Sequence, residues 1–245
     1  MCVAILLLDG KTLPVDDLRK CMSENPDGAG FMYNSNGKLI VQKGYRKFKK
    51  FYKAFTRARS ANPKAHMVLH FRIATSGKKT FENCHPHLIS PTLGVVHNGI
   101  IPMPDSQTAA KSDTAVFCDR ILRHLPVGWH TDLEQLDTLS GLLGSNKLVM
   151  LDANGGYGII NMSSGTWTEA GIWFSNLYWR WSLSLSKSNP TNSLYRTPWE
   201  WEAREDDEPI GSIIDKYRCE RCNERLPKDL HGTYVCYGCS DVPSL

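Results

Sequence analysis

The stretch GFMYNSNGKLIVQKG, residues Gly30–Gly44, decides the fold class of this chain. Two runs with the composition of strands flank Asn36-Gly37, a dipeptide that favours the type I′ turn because both of its residues tolerate a positive φ. A turn of this kind joins two antiparallel neighbours, so the sequence predicts a β-hairpin here. It therefore indicates an antiparallel sheet.

Apolar runs on both sides of this hairpin predict more strands. Each run is short, apolar and followed by polar or glycine-rich sequence, which is typical of buried strands. The runs are Cys2–Leu8, His66–Thr75, Leu93–Gly99, Gly171–Asn176 and a second hairpin over Lys147–Asn161.

Three helices are predicted between the strands. The first follows the Gly30–Gly44 hairpin, where aromatic residues recur at the i, i+3, i+4, i+7 spacing of one helix face. These residues are Phe48, Phe51, Tyr52 and Phe55. The second helix is predicted to begin after Ser112 as its N-cap and to run to Leu125, and the third to cover Leu133–Leu143. Helices between pairs of strands indicate an α+β fold of antiparallel sheets covered by helices, not a βαβ repeat.

The composition is that of a folded protein without a membrane span. Of the 245 residues, 41% are hydrophobic and 22% are charged, and no apolar run approaches the roughly 18 residues that cross a bilayer. No basic segment precedes the first apolar run, so we expect no secretory signal and no membrane partner. Half of the eight cysteines lie within the last 27 residues, unlike the even distribution of a secreted disulfide scaffold, so we expect a cytoplasmic location. The net charge of +4 is too small to indicate a nucleic-acid partner by itself.

Four of the eight cysteines form a C-x2-C-x13-C-x2-C pattern. Two closely spaced pairs bring four thiolates within reach of one Zn²⁺, and four protein ligands leave no open coordination position for chemistry. The sequence therefore predicts a structural zinc ribbon over 218–245, preceded by a Trp/Ser-rich and acidic arm or linker over 177–217. The predicted ligands are Cys219, Cys222, Cys236 and Cys239.

Cys2 is the candidate nucleophile. A chain that begins Met-Cys can lose its methionine because the second residue is small, which leaves Cys2 with a free α-amine of reference pKa about 7.7–8.0. That amine lies beside its own thiol and can serve as a general base at neutral pH. The alternative interpretation is that Cys2 is only a small buried residue that opens a strand.

Five segments of the first 176 residues carry a family resemblance. They are Met1-Cys2, NPDGAG (Asn25–Gly30), HFRIATSG (His70–Gly77), HPHLIS with VVHNGII (His85–Ile101) and SDT (Ser112–Thr114). In order and content they resemble the class II glutamine amidotransferase domain of the N-terminal nucleophile hydrolases. The resemblance implies such a domain over 1–176, built as a four-layer αββα sandwich of antiparallel sheets.

The resemblance also implies roles for residues of these segments. Cys2 would attack the side-chain amide of glutamine, form a γ-glutamyl thioester and release ammonia. Asn98 and Gly99 would supply the oxyanion hole. The substrate-binding residues would be Arg72 and Thr75 for the α-carboxylate and Asp113 for the ammonium group.

Other residues of these segments are expected to have supporting roles. Gly28 and Gly30 are expected to bring the backbone close to the nucleophile, and Cys21 and Cys118 to be core thiols. Four histidines are expected to hold the loops in place rather than to bind a metal. They are His70, His85, His87 and His97.

The sequence therefore predicts a glutaminase subunit that takes L-glutamine and supplies ammonia to a separate acceptor enzyme, with nucleotide or nucleic-acid base modification as one candidate use. Two alternatives stay open: a stand-alone amidohydrolase acting on γ-glutamyl amides, and a non-catalytic zinc-ribbon interaction module in which Met1 is retained. No organic cofactor is expected. Eight Lys/Arg and no acidic residue between Lys43 and Arg59 keep a nucleic-acid partner open, although a solvated helix face is the favoured interpretation.

Overall fold

The computed structural model describes residues 2–74, 79–103 and 111–180. Over these ranges the chain forms ten strands and four α-helices. The strands are β1 (Val3–Leu7), β2 (Gly28–Ser35), β3 (Lys38–Tyr45), β4 (Met67–Arg72), β5 (His87–Ser90), β6 (Leu93–Asn98), β7 (Lys147–Asp152), β8 (Tyr157–Ile160), β9 (Thr166–Trp167) and β10 (Ile172–Phe174). The helices are α1 (Val15–Glu24), α2 (Phe48–Ala61), α3 (Asp113–Arg120) and α4 (Leu133–Leu143), with 3-10 turns at Leu122–His124, Trp129–Thr131 and Met162–Ser164.

The strands form two sheets. The six-stranded sheet has the order β3-β2-β4-β1-β10-β9, and the four-stranded sheet has the order β5-β6-β7-β8. Every neighbouring pair in both sheets is antiparallel. The predicted combination of helices with antiparallel sheets is therefore confirmed.

The unbroken apolar run of β1 reflects burial on both faces of the six-stranded sheet. Alternate side chains of a strand point to opposite faces. Val3 and Ile5 belong to the apolar cluster that includes residues of α1 and α2. Ala4 and Leu6 belong to a different cluster, shared with residues of the four-stranded sheet such as Val149. The two sheets thus pack face to face, and β1 lies in the centre of the packing.

Helices cover the remaining face of each sheet. Phe51 and Phe55 of α2 pack edge-on against Phe31 of the six-stranded sheet. On the four-stranded sheet, Phe117 of α3 and Leu139 of α4 enter a third apolar cluster. The aromatic stripe predicted for the first helix is therefore a core face.

The predicted hairpin turn has the predicted backbone. Asn36 has a φ of 49° and Gly37 a φ of 70°, so both central residues are left-handed, as a type I′ turn requires. The register continues from Ser35↔Lys38 to Phe31↔Gln42 and is interrupted by one irregularity before Ala29.

The helices differ from the predictions in two ways. Helix α1 is an additional helix, whose residues Leu18, Cys21 and Met22 recur on its buried face at helical spacing. The second predicted helix ends at Arg120 instead of Leu125. Leu125 precedes Pro126, and the proline ring excludes the helical region for the residue before it; Leu125 accordingly has φ −74° and ψ 153°.

Some predictions fall on residues that the structure does not describe. They are the zinc ribbon over 218–245 and the arm beyond residue 180. Among the helices of the described ranges, none has the length and apolar character that a membrane crossing needs.

Candidate active site

A pocket brings together the start of β1, the ends of β4 and β6, and the N-terminus of α3. β1 and β4 are antiparallel neighbours with Val3 paired to Phe71, so the start of one strand lies beside the end of the other. Residues predicted from four separate segments of the sequence line this pocket together. They are Cys2, Arg72, Gly99 and Asp113.

The Cys2 thiol is held by the backbone of one neighbouring residue, Ile73. Its Sγ accepts a hydrogen bond from the Ile73 N–H at 3.3 Å and donates to the Ile73 carbonyl at 3.2 Å. Asn176 Nδ2 donates to the Cys2 carbonyl at 2.7 Å. Burial raises the pKa of the Cys2 thiol, and the Ile73 N–H opposes this only in part. The thiol is therefore protonated at neutral pH and needs a base to become a nucleophile.

Arg72 and Asp113 give the pocket two buried side chains of opposite charge. They are 4% and 5% exposed, respectively. Arg72 is the last residue of β4 and Asp113 the first of α3. The Asp113 carboxylate accepts hydrogen bonds from the N–H groups of Ile101 and Thr114, both at 2.8 Å. A guanidinium and a fixed carboxylate in one pocket match the two charged groups of a free amino acid.

The Asn98 side chain is fixed by the segment after β10. Its Nδ2 donates to Ser175 Oγ at 2.8 Å, and the same oxygen accepts from the Ala4 N–H at 2.9 Å. One hydroxyl therefore links the end of β6 to the second residue of β1. Asn98 itself is buried, and Gly99 carries the chain from it into the pocket.

Gly99 occupies a position that no other residue fits. Its φ is +148°, and a Cβ added there would lie 2.1 Å from Asn146 Oδ1. The positive φ favours glycine, and the Asn146 side chain leaves no room for a Cβ. Gly99 is therefore a constrained position of the pocket wall, whereas Asn98, which precedes it, is not among the residues that line the pocket.

His97 has both ring nitrogens engaged. Asn146 Nδ2 donates to the Leu143 carbonyl at 2.7 Å, so the Asn146 Oδ1, 2.9 Å from His97 Nε2, is an acceptor. His97 Nε2 therefore carries the proton. His97 Nδ1 then accepts from the Thr114 hydroxyl at 2.8 Å.

His85, which also lines the pocket, likewise has no free ring lone pair that could accept a proton. His70 Nε2 lies 3.0 Å from the His97 carbonyl, which can only accept, so His70 Nε2 carries a proton. His85 Nδ1 lies 2.9 Å from the same His70 nitrogen and must therefore accept. Neutral His85 then carries its proton on Nε2. Neither pocket histidine is available as a base for the Cys2 thiol.

The four motif histidines form one buried group held in the neutral state. His70, His85 and His97 are linked by the hydrogen bonds above, and the His87 ring lies 4.7 Å from that of His85. Burial lowers the pKa of all four, that of His70 to about 3. Within residues 2–74, 79–103 and 111–180, no group of three or more His, Cys, Asp or Glu is arranged to hold a metal ion.

The neutral histidines predict a pH dependence of stability. Their folded pKa values lie below the unfolded value of about 6.5, so stability is complete above pH 6.5 and is lost as the pH falls from there towards the folded values. In this range the unfolding of the protein takes up one proton at each histidine, so each lowers the free energy of unfolding by about 1.4 kcal/mol per pH unit. Urea unfolding between about pH 7.5 and pH 5 measures this slope. His87→Gln should lower the slope by about one proton. Equal slopes for wild type and His87→Gln would contradict the assignment.

Asp27 is a residue whose role in the site was not predicted. Its Oδ2 accepts from the Ala74 N–H at 2.8 Å, its Oδ1 pairs with Lys79 Nζ at 2.6 Å, and its N–H donates to the Arg72 carbonyl at 2.9 Å. Burial raises the pKa of this carboxyl, but the Ala74 N–H and the Lys79 ammonium outweigh burial and hold the pKa below its ordinary value. Asp27 thus positions the peptide segment that holds the Cys2 thiol. Its presence in NPDGAG was the available signal.

The expectation for Gly28 and Gly30 needs correction. A Cβ on Gly28 would lie 2.6 Å from Cys84 Sγ, and a Cβ on Gly30 would lie 2.2 Å from the His85 carbonyl oxygen. The lack of a side chain at these glycines therefore lets the segment before β5 lie against β2, and it does not bring the backbone close to the nucleophile. Cys21 and Cys118 are buried free thiols, as predicted.

Ser175, Asn176 and Asn146 are also site residues that sequence reasoning missed. The first two stand in GIWFSN, which was interpreted only as a strand. Thr75 and the four predicted zinc ligands lie outside the described residues, so their predicted roles stay predictions.

Comparison with known proteins finds two sequence relatives and one structural neighbour. No protein-family model matches the chain. The glutamine–fructose-6-phosphate aminotransferase of Shewanella oneidensis strain MR-1 is 26% identical over 167 residues, 64% of this chain and 25% of the relative. The enzyme of the same name from Aquifex aeolicus strain VF5 is 43% identical over 77 residues, 31% of this chain and 12% of the relative.

This chain therefore spans a quarter or less of the length of these relatives. A solved structure of glutamine phosphoribosylpyrophosphate amidotransferase from B. subtilis, complexed with ADP and GMP, is also similar to this chain. The match covers 71% of this chain and 42% of the chain in that structure. Its identity is 17% and its TM-score 0.44. The sequence matches show that parts of this chain are similar to parts of two enzymes named glutamine–fructose-6-phosphate aminotransferase.

Proposed function

We propose that this chain hydrolyses the side-chain amide of L-glutamine through a thioester on Cys2. The observation that carries the proposal is the pocket in which a thiol, a buried guanidinium and a buried carboxylate meet. These residues are Cys2, Arg72 and Asp113. The names of both sequence relatives begin with glutamine, which supports glutamine as the amide donor.

The reaction balances with the groups present. The Cys2 sulfur forms a bond to the amide carbon as its proton passes to the base, and the base then protonates the amide nitrogen. The C–N bond breaks and ammonia leaves, with a γ-glutamyl thioester left on Cys2. Water adds to the thioester, and glutamate departs as the thiol regains its proton.

The α-amine of Cys2 is the base in this proposal. The thiol, whose pKa is raised by burial, needs a base, and neither pocket histidine offers a free lone pair. Both ring nitrogens of His97 and Nδ1 of His85 are hydrogen-bonded, and Nε2 of neutral His85 carries the proton. The proposal requires that the residue before Cys2 be removed. The freed amine then has a reference pKa of about 7.7–8.0, near neutral pH, which suits proton transfer in both directions.

Asn98 and Gly99 are proposed to stabilise the tetrahedral intermediate. Charge develops on the amide oxygen as sulfur adds, and donors already fixed in place stabilise that charge without reorganising. The Ser175 contact holds the Asn98 amide in one orientation. Arg72 is proposed to bind the α-carboxylate of glutamine together with Thr75, and Asp113 to bind the α-ammonium group.

Arg72→Gln tests the substrate assignment. Loss of a charge-assisted hydrogen bond worth about 1.5–3 kcal/mol should raise KM for glutamine by about 10-fold to 150-fold. Steady-state ammonia release measures this, with Arg123→Gln as the control. Arg123 is half exposed, and its partners among the described residues are Asp119 and the Leu88 carbonyl, neither of which lines the pocket.

A second substrate separates binding from folding in this experiment. A primary amide that has the side chain of glutamine but no α-carboxylate should lose little rate in Arg72→Gln, because the missing contact was never made. Equal losses with both substrates would show that Arg72 acts through the fold and not through the carboxylate.

We also propose an architecture and a partner for this chain. The three apolar clusters support a four-layer αββα order for the domain over 1–176. The four-cysteine set of 218–245 has the donor chemistry of a structural zinc site. We place the protein in the cytoplasm with a separate enzyme as ammonia acceptor, in nucleotide or nucleic-acid base modification. The alternatives are a stand-alone amidohydrolase on γ-glutamyl amides and a non-catalytic interaction module.

A further inference from the structure

A long part of the chain carries only positive charge. Between Gly28 and Phe81 the sequence has 13 Lys and Arg and no Asp or Glu, whereas the whole chain has a net charge of only +4. The remainder of the chain is therefore acidic overall. Such an asymmetry concentrates the positive potential on the elements of this part, which are β2, β3, α2 and β4.

Helix α2 exposes these charges in a row. Its buried face consists of Phe51, Phe55 and Ala58. Lys49, Lys53 and Arg57 are exposed and stand four residues apart, so they lie along one side of the helix. We call these three residues the basic row. In the described part of the chain, no acidic side chain forms an ion pair with any of them.

The basic row works against the stability of its own helix. Like charges at i, i+4 repel each other. The first turn of α2 contains no acidic residue, and Lys47 at the N-cap makes no side-chain capping hydrogen bond, although acidic and capping residues are the ones favoured there. Where local rules are broken without a gain inside the fold, a functional reason is expected. A bound anionic partner would neutralise these charges, so the row would no longer destabilise α2.

The composition of the surface distinguishes between anionic partners. Protein interfaces are depleted of lysine and enriched in aromatic residues. Among the described residues, every large apolar side chain that is exposed lies outside the stretch from Gly28 to Phe81. A lysine-rich row without apolar anchors suits the evenly spaced phosphates of a nucleic acid, whose binding comes from counterion release.

We propose that the basic row of α2 binds the phosphate backbone of duplex nucleic acid without reading its sequence. The row contacts phosphates alone, because lysine and arginine side chains that neutralise phosphates position a protein on a duplex without specifying bases. This inference is independent of the proposed glutaminase activity, since none of the three residues lines the pocket.

Fluorescence anisotropy of the full chain with a labelled mixed-sequence DNA duplex of about 20 base pairs tests the proposal, at salt concentrations from about 50 to about 200 mM. Wild type should bind at low salt, with affinity that falls steeply as salt rises. The triple variant Lys49→Gln/Lys53→Gln/Arg57→Gln should bind at least about tenfold more weakly, and its salt slope should be smaller by about three, one for each lost phosphate contact.

A charge-matched variant is the control. Lys11→Gln/Lys111→Gln/Arg123→Gln removes the same charge from exposed positions outside the acid-free stretch and should bind like wild type. The basic-row variant should unfold at the same temperature as wild type or above it, since the repulsion within α2 is relieved. Absence of wild-type binding at low salt, or equal binding by the two triple variants, would overturn the proposal. Displacement of the duplex by poly-glutamate at equal charge would instead assign the row to an acidic protein.

Discussion

Replacing Cys2 by alanine is expected to reduce glutamine hydrolysis by at least about 10⁴-fold, since removal of the nucleophile from a comparable hydrolase costs about 10⁶ in kcat. The reason is chemical: without Sγ no thioester forms. The two hydroxyl side chains among the described pocket residues, Ser112 and Thr114, are engaged with the Ala115 N–H and with His97. The fold should survive, because alanine fits the space of this small side chain, whose two hydrogen bonds are both to Ile73. Ammonia release at saturating glutamine is the measurement.

Cys118→Ala is the matched control for this result. Cys118 is also a buried free thiol, but it lies in the apolar cluster of the four-stranded sheet and away from the pocket lining. The control should keep the rate of wild type and lose a small part of its stability. Equal rates for wild type and Cys2→Ala would contradict the nucleophile assignment and favour the interaction-module alternative.

Asn98→Ala is expected to lower kcat by about 100-fold to 1,000-fold with little change in KM, the effect of losing one oxyanion donor. A donor that acts on the intermediate contributes little to ground-state binding, so the loss belongs to kcat. Steady-state kinetics with glutamine separates the two constants. A rise in KM at constant kcat would show instead that Asn98 binds the substrate.

Two companion variants define the origin of the Asn98 effect. Ser175→Ala removes the acceptor that orients the Asn98 amide and should lower kcat in the same direction but by less. Asn154→Ala changes an exposed asparagine of the β7–β8 turn and should leave both constants as in wild type.

Local sequence patterns predicted much of the fold. The Asn36-Gly37 turn needs only the φ preferences of two adjacent residues, and the aromatic stripe of α2 needs only its own spacing. The run of β1 is apolar throughout because β1 is covered on both faces, and such a run predicts a buried strand. These features depend on few neighbours along the chain, so a single sequence carries their signal.

The contacts that complete the site depend on distant residues. Ser175 meets Asn98 across 77 positions and Asn146 meets His97 across 49, and no spacing rule links such pairs. The roles of Gly28 and Gly30 were misjudged for the same reason, since their neighbours arrive from the segment before β5. The family resemblance brought Cys2, Arg72, Gly99 and Asp113 into one prediction, and the structure places these four around one pocket.

The central claim is that Cys2, with a free α-amine, is the nucleophile that attacks glutamine. The most direct test is to treat the protein with a glutamine analogue that carries an electrophilic diazoketone in place of the amide and to locate the label by peptide mass spectrometry. We expect one label per chain, on Sγ of Cys2, in an N-terminal peptide that begins with Cys2, and we expect excess glutamine to protect against labelling. A label on another residue, or a labelled peptide that still carries Met1, would contradict it.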